Sequence, residues 1–356
     1  MGKRVMVGMS GGVDSSMTAY LLKRDGFEPT GVNCRFFNKE DIYSVDKACG
    51  TAEDSDDAKQ SADKIGIPFT VLDLSEDFKN KVINNFVDVY VSGGTPNPCV
   101  VCNKYLKFDK MLERAVEQGF DYIATGHYAI IDFDSKSGRY LLKKGLDETK
   151  DQSYVLYSLN QFQLAHTLFP LGRMRKTEIR KMAEQLGFAN AKKHDSQDIC
   201  FVPDGDYASF IERRLGKSFP NGDFVLKSGE VMGTHKGIIR YTIGQRRGLG
   251  LALKSPLYVC EKDVINNRVI LCSNEELFSK SLTAKNINLI TVDRIDAPIR
   301  VKAKVRYKQP EQWATVTQID DNRIRVEFDE PQRAFAKGQA VVLYDGDVVV
   351  GGGTIE

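Results

Sequence analysis

The sequence predicts an α/β domain built on a doubly wound parallel sheet, followed by a small β-rich linker domain and a C-terminal antiparallel β-barrel. Strand and helix patterns alternate through the first ~200 residues, as they do in parallel sheets. The first predicted strand leads into a Gly- and Ser-rich loop, which is typical of ligand-binding α/β domains. After about residue 208, helical periodicity fades and short β-rich segments separated by turns recur. We therefore expect domains at 1–207, 208–280 and 281–356.

The elements of the first domain follow from its hydrophobic patterns. Strands are predicted at Lys3–Met9, Thr30–Phe36, Phe69–Leu74 and Asp121–Thr125. Helices are predicted at Ser15–Arg24, Asp54–Ile65, Phe78–Val91 and Lys104–Gln118. Next come a hairpin at Ala129–Lys143, helical segments at Ser153–Leu164 and Lys176–Leu186, and an irregular loop from Phe188 to Asp206.

The rest of the chain predicts short strands bounded by turn residues. They are expected at Gly237–Ile243, Leu257–Glu261, Arg268–Cys272, Ile299–Tyr307, Gln312–Ile319, Arg323–Phe328, Gln339–Tyr344 and Val348–Thr354. Regular short strands of this kind indicate antiparallel modules, with a barrel at the end of the chain.

Composition is ordinary for a globular protein, since 42% of the 356 residues are hydrophobic and 28% are charged. No apolar run approaches the ~20 residues of a membrane helix, and MGKRVMVG leads directly into the first strand without room for a signal peptide. We therefore expect a cytoplasmic protein with no membrane partner. Seven cysteines in such a chain indicate thiols or metal ligands rather than a disulfide framework. The net charge of +2 confines any nucleic-acid surface to a local patch.

The loop after the first strand, Ser10–Ser16, reads SGGVDSS and indicates a phosphate site. Gly11 and Gly12 allow a tight turn and a close backbone approach, and the following helix presents N–H groups to an anion. We expect that helix to be capped by Asp14, Ser15 and Ser16. The loop lacks the Lys of a Walker A motif and resembles the PP-loop of the ATP pyrophosphatases. That resemblance implies cleavage of ATP between its α- and β-phosphates, with AMP left on an acceptor; the alternative is a plain Gly-Ser turn.

Cys99 and Cys102 form a C-x-x-C motif within GTPNPCVVCNKYLKF. Pro96 and Pro98 exclude helix before Cys99, so the motif is expected near the start of a helix, where a thiolate is favoured. The motif alone fits redox chemistry, zinc, half of an iron–sulfur site or a structural role. Cys200 lies in the polar loop HDSQDICFV, where a merely buried cysteine is less expected. The remaining cysteines are interpreted from their contexts as core or surface thiols: Cys34, Cys49, Cys260 and Cys272.

Basic residues cluster in two places. Residues 300–308 predict a strand with five cations on one face, namely Arg300, Lys302, Lys304, Arg306 and Lys308. Aligned like charges favour an anionic partner such as RNA, although counter-charges on neighbouring strands would also explain them. A predicted helix carries a second group, for which a solvated face is the alternative: Arg173, Arg175, Lys176, Arg180 and Lys181. Arg246 and Arg247, between glycines, could also hold phosphate.

Five motifs occur in order along the chain: SGGVDSS, TPNPCVVCNKYLKFD, ATGHYA, KDQSYVLY and HDSQDICFV. In this order they resemble the tRNA-specific 2-thiouridylase family, and GQRRGLGL and VRYKQP extend the resemblance over essentially the whole chain. The resemblance implies that ATP adenylates the C2 oxygen of the wobble uridine in tRNA and that sulfur then replaces it, giving 2-thiouridine, AMP and pyrophosphate. It implies ATP as a substrate with Mg²⁺, and tRNA as a partner. It also implies a cysteine desulfurase or sulfur-relay protein as persulfide donor.

The resemblance also implies roles for individual residues. Cys200 carries the persulfide, and Cys102 completes the exchange by forming a disulfide with Cys200 as sulfur is delivered. The implied ATP contacts are Gly8, Met9, Ser10, Gly11, Gly12, Val13, Asp14, Ser15, Cys34 and Gly126. The implied tRNA contacts are Asn97, Pro98, Cys99, His127, Lys150, Asp151, Gln152, Arg306, Tyr307 and Gln339. For His127, a buried structural role fits the sequence equally well.

Cys99 departs from the commoner family pattern, in which an Asp at this position is taken as a general acid or base. A thiol is a weaker acid, with a reference pKa of ~8.5 against ~3.9 for Asp. Cys99, Cys102 and Cys200 also make a three-cysteine set like that with which related PP-loop thiolases hold a [4Fe–4S] cluster. Two hypotheses follow, proton transfer by Cys99 and binding of such a cluster.

Two other functions stay open from the sequence. A PP-loop ligase or amidotransferase would explain Ser10–Ser16 but would leave Cys102, Cys200 and the basic strand unexplained. A non-catalytic RNA-binding protein would explain the cations but not the PP-loop.

Overall fold

The computed structural model describes residues 2–37, 52–193, 199–252 and 255–356. Cys49 and the HDSQD stretch before Ile199, both used in the sequence interpretation, lie outside the described residues. None of the helices in the described ranges has the length and apolar character needed to span a bilayer.

The N-terminal region is built on a parallel sheet, as predicted. Its strands are β1 (Arg4–Gly8), β2 (Glu28–Arg35), β3 (Phe69–Asp73), β4 (Tyr122–Ala124), β5 (Ala129–Asp134), β6 (Arg139–Lys144) and β7 (Thr167–Leu168). Five of them form the sheet, in the order β3-β2-β1-β4-β7, and all their pairings are parallel. Val5 and Val7 of β1 are fully buried and belong to the same core cluster as Met17 of the first helix. This packing puts the carboxyl end of β1 beside the start of that helix.

Helices connect these strands. They are α1 (Val13–Arg24), α2 (Ala52–Ile65), α3 (Ser75–Phe78), α4 (Asn84–Val91), α5 (Pro98–Cys102), α6 (Met111–Glu117), α7 (Gln161–Ala165) and α8 (Lys176–Gln185). The π-helical segments Lys79–Ile83 and Asn103–Lys110 join α3 to α4 and α5 to α6. Short 3₁₀ turns lie at Ser153–Leu156 and Ala189–Lys192.

In its described residues, the middle region contains one α-helix and a four-stranded sheet. The helix α9 spans Tyr207–Leu215, and the strands are β8 (Gly222–Leu226), β9 (Val231–His235), β10 (Tyr258–Asp263) and β11 (Arg268–Cys272), in the order β10-β11-β8-β9. The predicted strand at Gly237–Ile243 is wrong. Ile238 and Ile239 are both buried, and consecutive buried side chains do not fit the alternation of a strand; the chain forms a 3₁₀ turn there.

The interpretation of Cys260 and Cys272 as thiols is also wrong, because they form a disulfide. Strands β10 and β11 are antiparallel, with Tyr258 opposite Cys272, and a β-bulge after Val259 inserts Cys260 as an extra residue. The bulge brings the two Cα atoms to 6.0 Å, within the usual range for a disulfide.

The C-terminal region is a closed antiparallel barrel, as predicted. Its strands are β12 (Phe278–Leu289), β13 (Ile299–Lys304), β14 (Gln312–Asp320), β15 (Arg323–Arg333), β16 (Ala340–Asp345) and β17 (Val348–Ile355). They follow the order β12-β15-β14-β13-β16-β17, and pairing of β12 with β17 closes the barrel. The β5–β6 hairpin extends this sheet, since Lys143 pairs with Val348. A segment from the first predicted domain is thus hydrogen-bonded to the C-terminal sheet.

Candidate active site

The Ser10–Ser16 loop joins β1 to α1 at the carboxyl edge of the parallel sheet, where ligands bind in this class of fold. Gly11 has φ +76°, and a Cβ at this position would lie 2.5 Å from the carbonyl oxygen of Asp54. Only glycine fits both the backbone conformation and the space. The structure thus agrees with the tight turn inferred from the sequence.

The caps predicted for α1 are wrong. Gly12 is the N-cap and receives no side-chain cap hydrogen bond, because Asp14, Ser15 and Ser16 already lie within the first turn. The Ser15 hydroxyl instead donates to the Gly12 carbonyl at 2.9 Å and lies 3.1 Å from the Ser10 amide nitrogen, which donates to it. These serines brace the loop internally.

Two buried asparagines, which sequence reasoning missed, hold the loop from behind. Asn33 Nδ2 donates to the Met9 carbonyl at 2.8 Å, and Asn190 Nδ2 donates to the Gly11 carbonyl at 2.9 Å. In a trans peptide the C=O and the next N–H point in opposite directions. The Gly12 N–H therefore faces away from Asn190. Neither asparagine lies in a motif that would have linked it to the loop.

Asp14 is held by two partners from distant parts of the chain. Its carboxylate accepts hydrogen bonds from the Tyr128 hydroxyl at 2.7 Å and from Lys176 Nζ at 2.6 Å. The Lys176 side chain is only 7% exposed, so the interpretation of this residue as part of a basic surface is wrong. Arg173 pairs with Asp132, and Arg180 donates to two backbone carbonyls. The second basic group thus has largely structural partners.

Gly126 and His127 follow β4 and approach the loop. A Cβ on Gly126 would lie 2.9 Å from the carbonyl carbon of Asp14, so this backbone contact requires glycine. His127 is buried between the rings of Phe108 and Phe169, and its Nδ1 lies 2.7 Å from the Thr125 hydroxyl. Burial holds the pKa of His127 well below its usual range, so the ring is neutral. This environment agrees with the structural alternative, and the tRNA contact stays a prediction.

Cys99 and Cys102 lie on α5, which begins at Pro98 and precedes the helix predicted from Lys104, so the exclusion of helix before Cys99 is wrong by one residue. Pro98 is in the first turn, where its missing N–H costs nothing, and Asn97 Oδ1 accepts a hydrogen bond from the Val100 amide at 3.3 Å. Spacing of three residues puts the two cysteines on the same side of the helix. Cys99 is exposed and Cys102 is partly buried.

Cys200 lies in a tight turn that is closed by a 2.8 Å hydrogen bond from the Val202 amide to the Ile199 carbonyl. The next residue, Phe201, is fully buried in an aromatic cluster with Phe78 and Phe86. Phe201 thus anchors a turn on which Cys200 stays partly exposed.

Cys102 and Cys200 pack against the same hydrophobic cluster, and so does Cys34. Burial, and to a lesser extent the nearby Cys102, raises the pKa of the Cys34 thiol to about 12. Sequence reasoning did not place Cys34 beside Cys102. Within the described ranges, no three His, Cys, Asp or Glu side chains are grouped as metal ligands, so Cys99, Cys102 and Cys200 are not arranged around a common cluster site.

Two barrel residues expected to contact tRNA form hydrogen bonds with the N-terminal region. Gln339, at the entry to β16, donates from Nε2 to the Thr95 and Pro96 carbonyls at 2.9 and 3.0 Å. The Tyr307 hydroxyl donates to the Asp151 carbonyl at 2.9 Å. Burial raises the pKa of Tyr307, with smaller effects from Asp151 and Cys99. The barrel thus contacts the N-terminal region at two points, one of them directly before the cysteine motif.

The other members of the tRNA set are also tied into the structure. Gln152 Oε1 accepts from the Tyr128 amide at 3.0 Å, which links the Lys150–Gln152 segment to the partner of Asp14. Arg306 Nη2 donates to the Ala334 carbonyl at 2.9 Å, and burial lowers the pKa of this half-buried guanidinium.

The basic strand is shorter than predicted. β13 ends at Lys304, so Arg306 and Lys308 lie in a turn and not on a common strand face. Val301, Ala303 and Val305 are buried on the opposite side, as predicted. Arg300 pairs with Asp329, which agrees with the counter-charge alternative for this residue. Lys302 instead lies 5.4 Å from the ring centroid of Trp313, an aromatic side chain that is 49% exposed.

Comparison with known proteins covers the whole chain. Residues 3–204 match the tRNA methyl transferase HUP domain, residues 208–273 the tRNA methyl transferase PRC-barrel domain, and residues 279–355 the aminomethyltransferase beta-barrel domain. A Clostridioides difficile protein, "tRNA-specific 2-thiouridylase MnmA", is 49% identical over 356 residues, 100% of this chain and 99% of that protein. "tRNA-specific 2-thiouridylase MnmA 1" of Thermoanaerobacter sp. is 50% identical over 99% of this chain and 98% of its own length. An Acetivibrio thermocellus relative with the name "tRNA-specific 2-thiouridylase MnmA" is 49% identical over 99% of both chains.

Proposed function

The chain belongs to the tRNA-specific 2-thiouridylase family, and on that premise we propose how its residues divide the reaction. It is a tRNA-uridine 2-sulfurtransferase that uses ATP and acts on tRNA. This activity displaces the two alternatives from the sequence, a PP-loop ligase or amidotransferase and a non-catalytic RNA-binding protein.

ATP is proposed to bind at the Ser10–Ser16 loop with its phosphates against the Gly11–Gly12 backbone. The support is the orientation of the Gly12 N–H away from Asn190, together with the close approach of Gly126. The described residues provide no grouped carboxylates for a resident Mg²⁺. Both Asp14 oxygens already have protein partners. We therefore propose that Mg²⁺ arrives with the phosphates of ATP, which is its common mode of binding.

Adenylation turns the uridine C2 oxygen into a leaving group, and the cysteines are proposed to supply sulfur. The terminal sulfur of a Cys200 persulfide attacks C2, and AMP leaves with the C2–O electron pair. The Cys102 thiolate then attacks Sγ of Cys200, which leaves the transferred sulfur on C2 and forms a Cys102–Cys200 disulfide. A dithiol reductant returns both cysteines to thiols. The observation that carries this proposal is the packing of Cys102 and Cys200 against one hydrophobic cluster.

Cys99 is proposed to face the target base and to move a proton there in place of the commoner carboxylate. Its exposure and its position in the first turn of α5 support this role. The three cysteines do not fit a [4Fe–4S] site among the described residues, so no step is assigned to a cluster. The sulfur is proposed to come from a cysteine desulfurase or a sulfur-relay protein.

The experiment that tests this division compares two products in one variant. Cys200→Ser should abolish 2-thiouridine formation, measured by mass spectrometry of tRNA hydrolysates, while tRNA-dependent AMP release from labelled ATP persists. Cys49→Ser serves as the control, since the sequence assigns this cysteine no role in ATP binding or sulfur transfer, and it should leave 2-thiouridine formation in place. Equal loss of both products in Cys200→Ser would refute a separate sulfur-carrying role.

A further inference from the structure

A cleft of about 790 Å³ lies between the N-terminal region and the barrel, beside the segment that leads into α5. Its walls include the end of α4, the residues Gly94 and Asn97, the helical segment after α5, β12 and the end of β17. A volume of this size is typical of ligand pockets. Asn97 lines the cleft and caps α5, the helix that carries Cys99, so the cleft adjoins the place proposed for the target base.

The cleft is cationic. Lys104, Lys285 and Lys337 line it, and Glu356 is the acidic residue of its lining. Glu356 lies 3.6 Å from Lys285. In the part of the chain that the structure describes, Lys104 and Lys337 have no carboxylate within ion-pair distance. Two ammonium groups without counter-charges across one cleft favour an anionic ligand.

A buried hydroxyl also faces this cleft. Ser158 is 6% exposed and lines the cleft, and its Oγ has no hydrogen-bond partner among the described residues. Buried polar groups are nearly always paired, so a ligand in the cleft would explain this one. The Tyr105 ring, 37% exposed, adds a flat aromatic surface with Lys104 Nζ 5.1 Å from its centroid.

We propose that this cleft binds the sugar–phosphate backbone of tRNA nucleotides next to the target uridine. Lys104 and Lys337 bind phosphates, Ser158 bonds a ribose hydroxyl or phosphate oxygen, and Tyr105 offers its face to a base. The proposal rests on the tRNA substrate of the family. It also rests on Asn97, which lines the cleft and belongs to the predicted tRNA contacts. A cleft that bound an acidic segment of a sulfur-donor protein would not need to adjoin those contacts.

The test is tRNA affinity as a function of salt. The double variant Lys104→Ala/Lys337→Ala should weaken tRNA binding about 10-fold or more. The slope of log K against log[salt] should become shallower by about 1.4, because each lost contact to a single-stranded phosphate reduces it by about 0.7. The matched control is Lys136→Ala, which removes an exposed lysine from the β5–β6 turn and should change neither value. An affinity and a slope equal to those of the control overturn the proposal.

Ser158→Ala separates ligand binding from structure. Loss of an unpartnered hydroxyl should leave the melting temperature unchanged or raised while tRNA affinity falls several-fold. A lowered melting temperature with unchanged affinity overturns the proposal. A double-lysine variant that keeps its tRNA affinity also overturns the proposal if it fails only with a protein persulfide donor. Inorganic sulfide is the comparison, because hydrosulfide can attack the adenylated C2 directly and expel AMP without a Cys200 persulfide. Thiolation with sulfide but not with the donor would assign the cleft to a protein. Formation of 2-thiouridine by the unaltered protein is measured in parallel. If that activity is absent, the proposed function fails, and this result is distinct from a failure of the proposed tRNA-binding cleft.

Discussion

Lys176→Met tests whether the pair between Asp14 and Lys176 fixes the ATP loop. Met keeps most of the side-chain volume but removes the ammonium, so the Asp14 carboxylate loses a partner at 2.6 Å and keeps the Tyr128 hydroxyl. Removing one member of a buried pair costs about 3–5 kcal/mol. Because the Asp14 side chain is 28% exposed, water offsets part of this loss. We expect the free energy of unfolding of the N-terminal region to fall by about 2 kcal/mol.

The readout must report on α1. The single tryptophan, Trp313, lies on the barrel, so its fluorescence would miss the change. Amide hydrogen exchange of Val13–Arg24 measures local stability directly. The double variant Asp14→Asn/Lys176→Met removes both charges. It should recover a measurable part of the lost unfolding free energy, which a double-mutant cycle would show. If Lys176→Met changes α1 protection by less than about 0.5 kcal/mol and the cycle shows no coupling, the reasoning is refuted.

Three further predictions follow from other parts of the structure. Gly126→Ala puts a Cβ 2.9 Å from the Asp14 backbone, so overpacking by about 1–3 kcal/mol should weaken ATP binding about 5- to 150-fold in calorimetry; unchanged affinity would remove Gly126 from the site. Burial lowers the pKa of Lys262 in the folded protein to about 8, against ~10.4 in the unfolded chain. Below pH 8 the buried ammonium lowers the free energy of unfolding, and this penalty decreases as the pH rises from 8 to ~10.4. Lys262→Met should therefore be more stable at pH 7 by up to about 3 kcal/mol in urea titrations, with a smaller gain at pH 10; a pH-independent difference contradicts this. Lys302→Ala should weaken tRNA binding with a salt slope reduced by about 1, whereas an unchanged slope would place RNA elsewhere.

Local sequence signals predicted the parallel sheet and most barrel strands because their hydrophobic periods are strong. Sequence reasoning missed α9, although its signals are present. Asp206 accepts a hydrogen bond from the Ser209 amide at the helix start, and Gly216, at φ +62°, ends it. The recurrent β patterns after residue 208 favoured a β-rich region, so this nine-residue helix was not predicted.

Long-range partners could not be read from the sequence. Lys176 lies in a run of basic residues and looks solvated, yet it meets a carboxylate 162 positions away. Cys260 and Cys272 look like unremarkable thiols until a bulge brings them together. Asn190 donates a hydrogen bond to the carbonyl of Gly11, 179 positions earlier in the chain, and lies in no motif that would indicate this contact. In each case the partner is chosen by tertiary packing and not by local propensity.

The β5–β6 hairpin has a consequence for how the chain is made. Its partner strand, β17, leaves the ribosome about 200 residues after Lys143, which takes roughly 10–40 s at a synthesis rate of about 5–20 residues per second. During that interval the hairpin has an open strand edge, which is a template for mispairing between nascent chains. The last strand therefore completes two regions at once. A chain that is truncated before Val348 should lose amide-exchange protection in the hairpin of its N-terminal half.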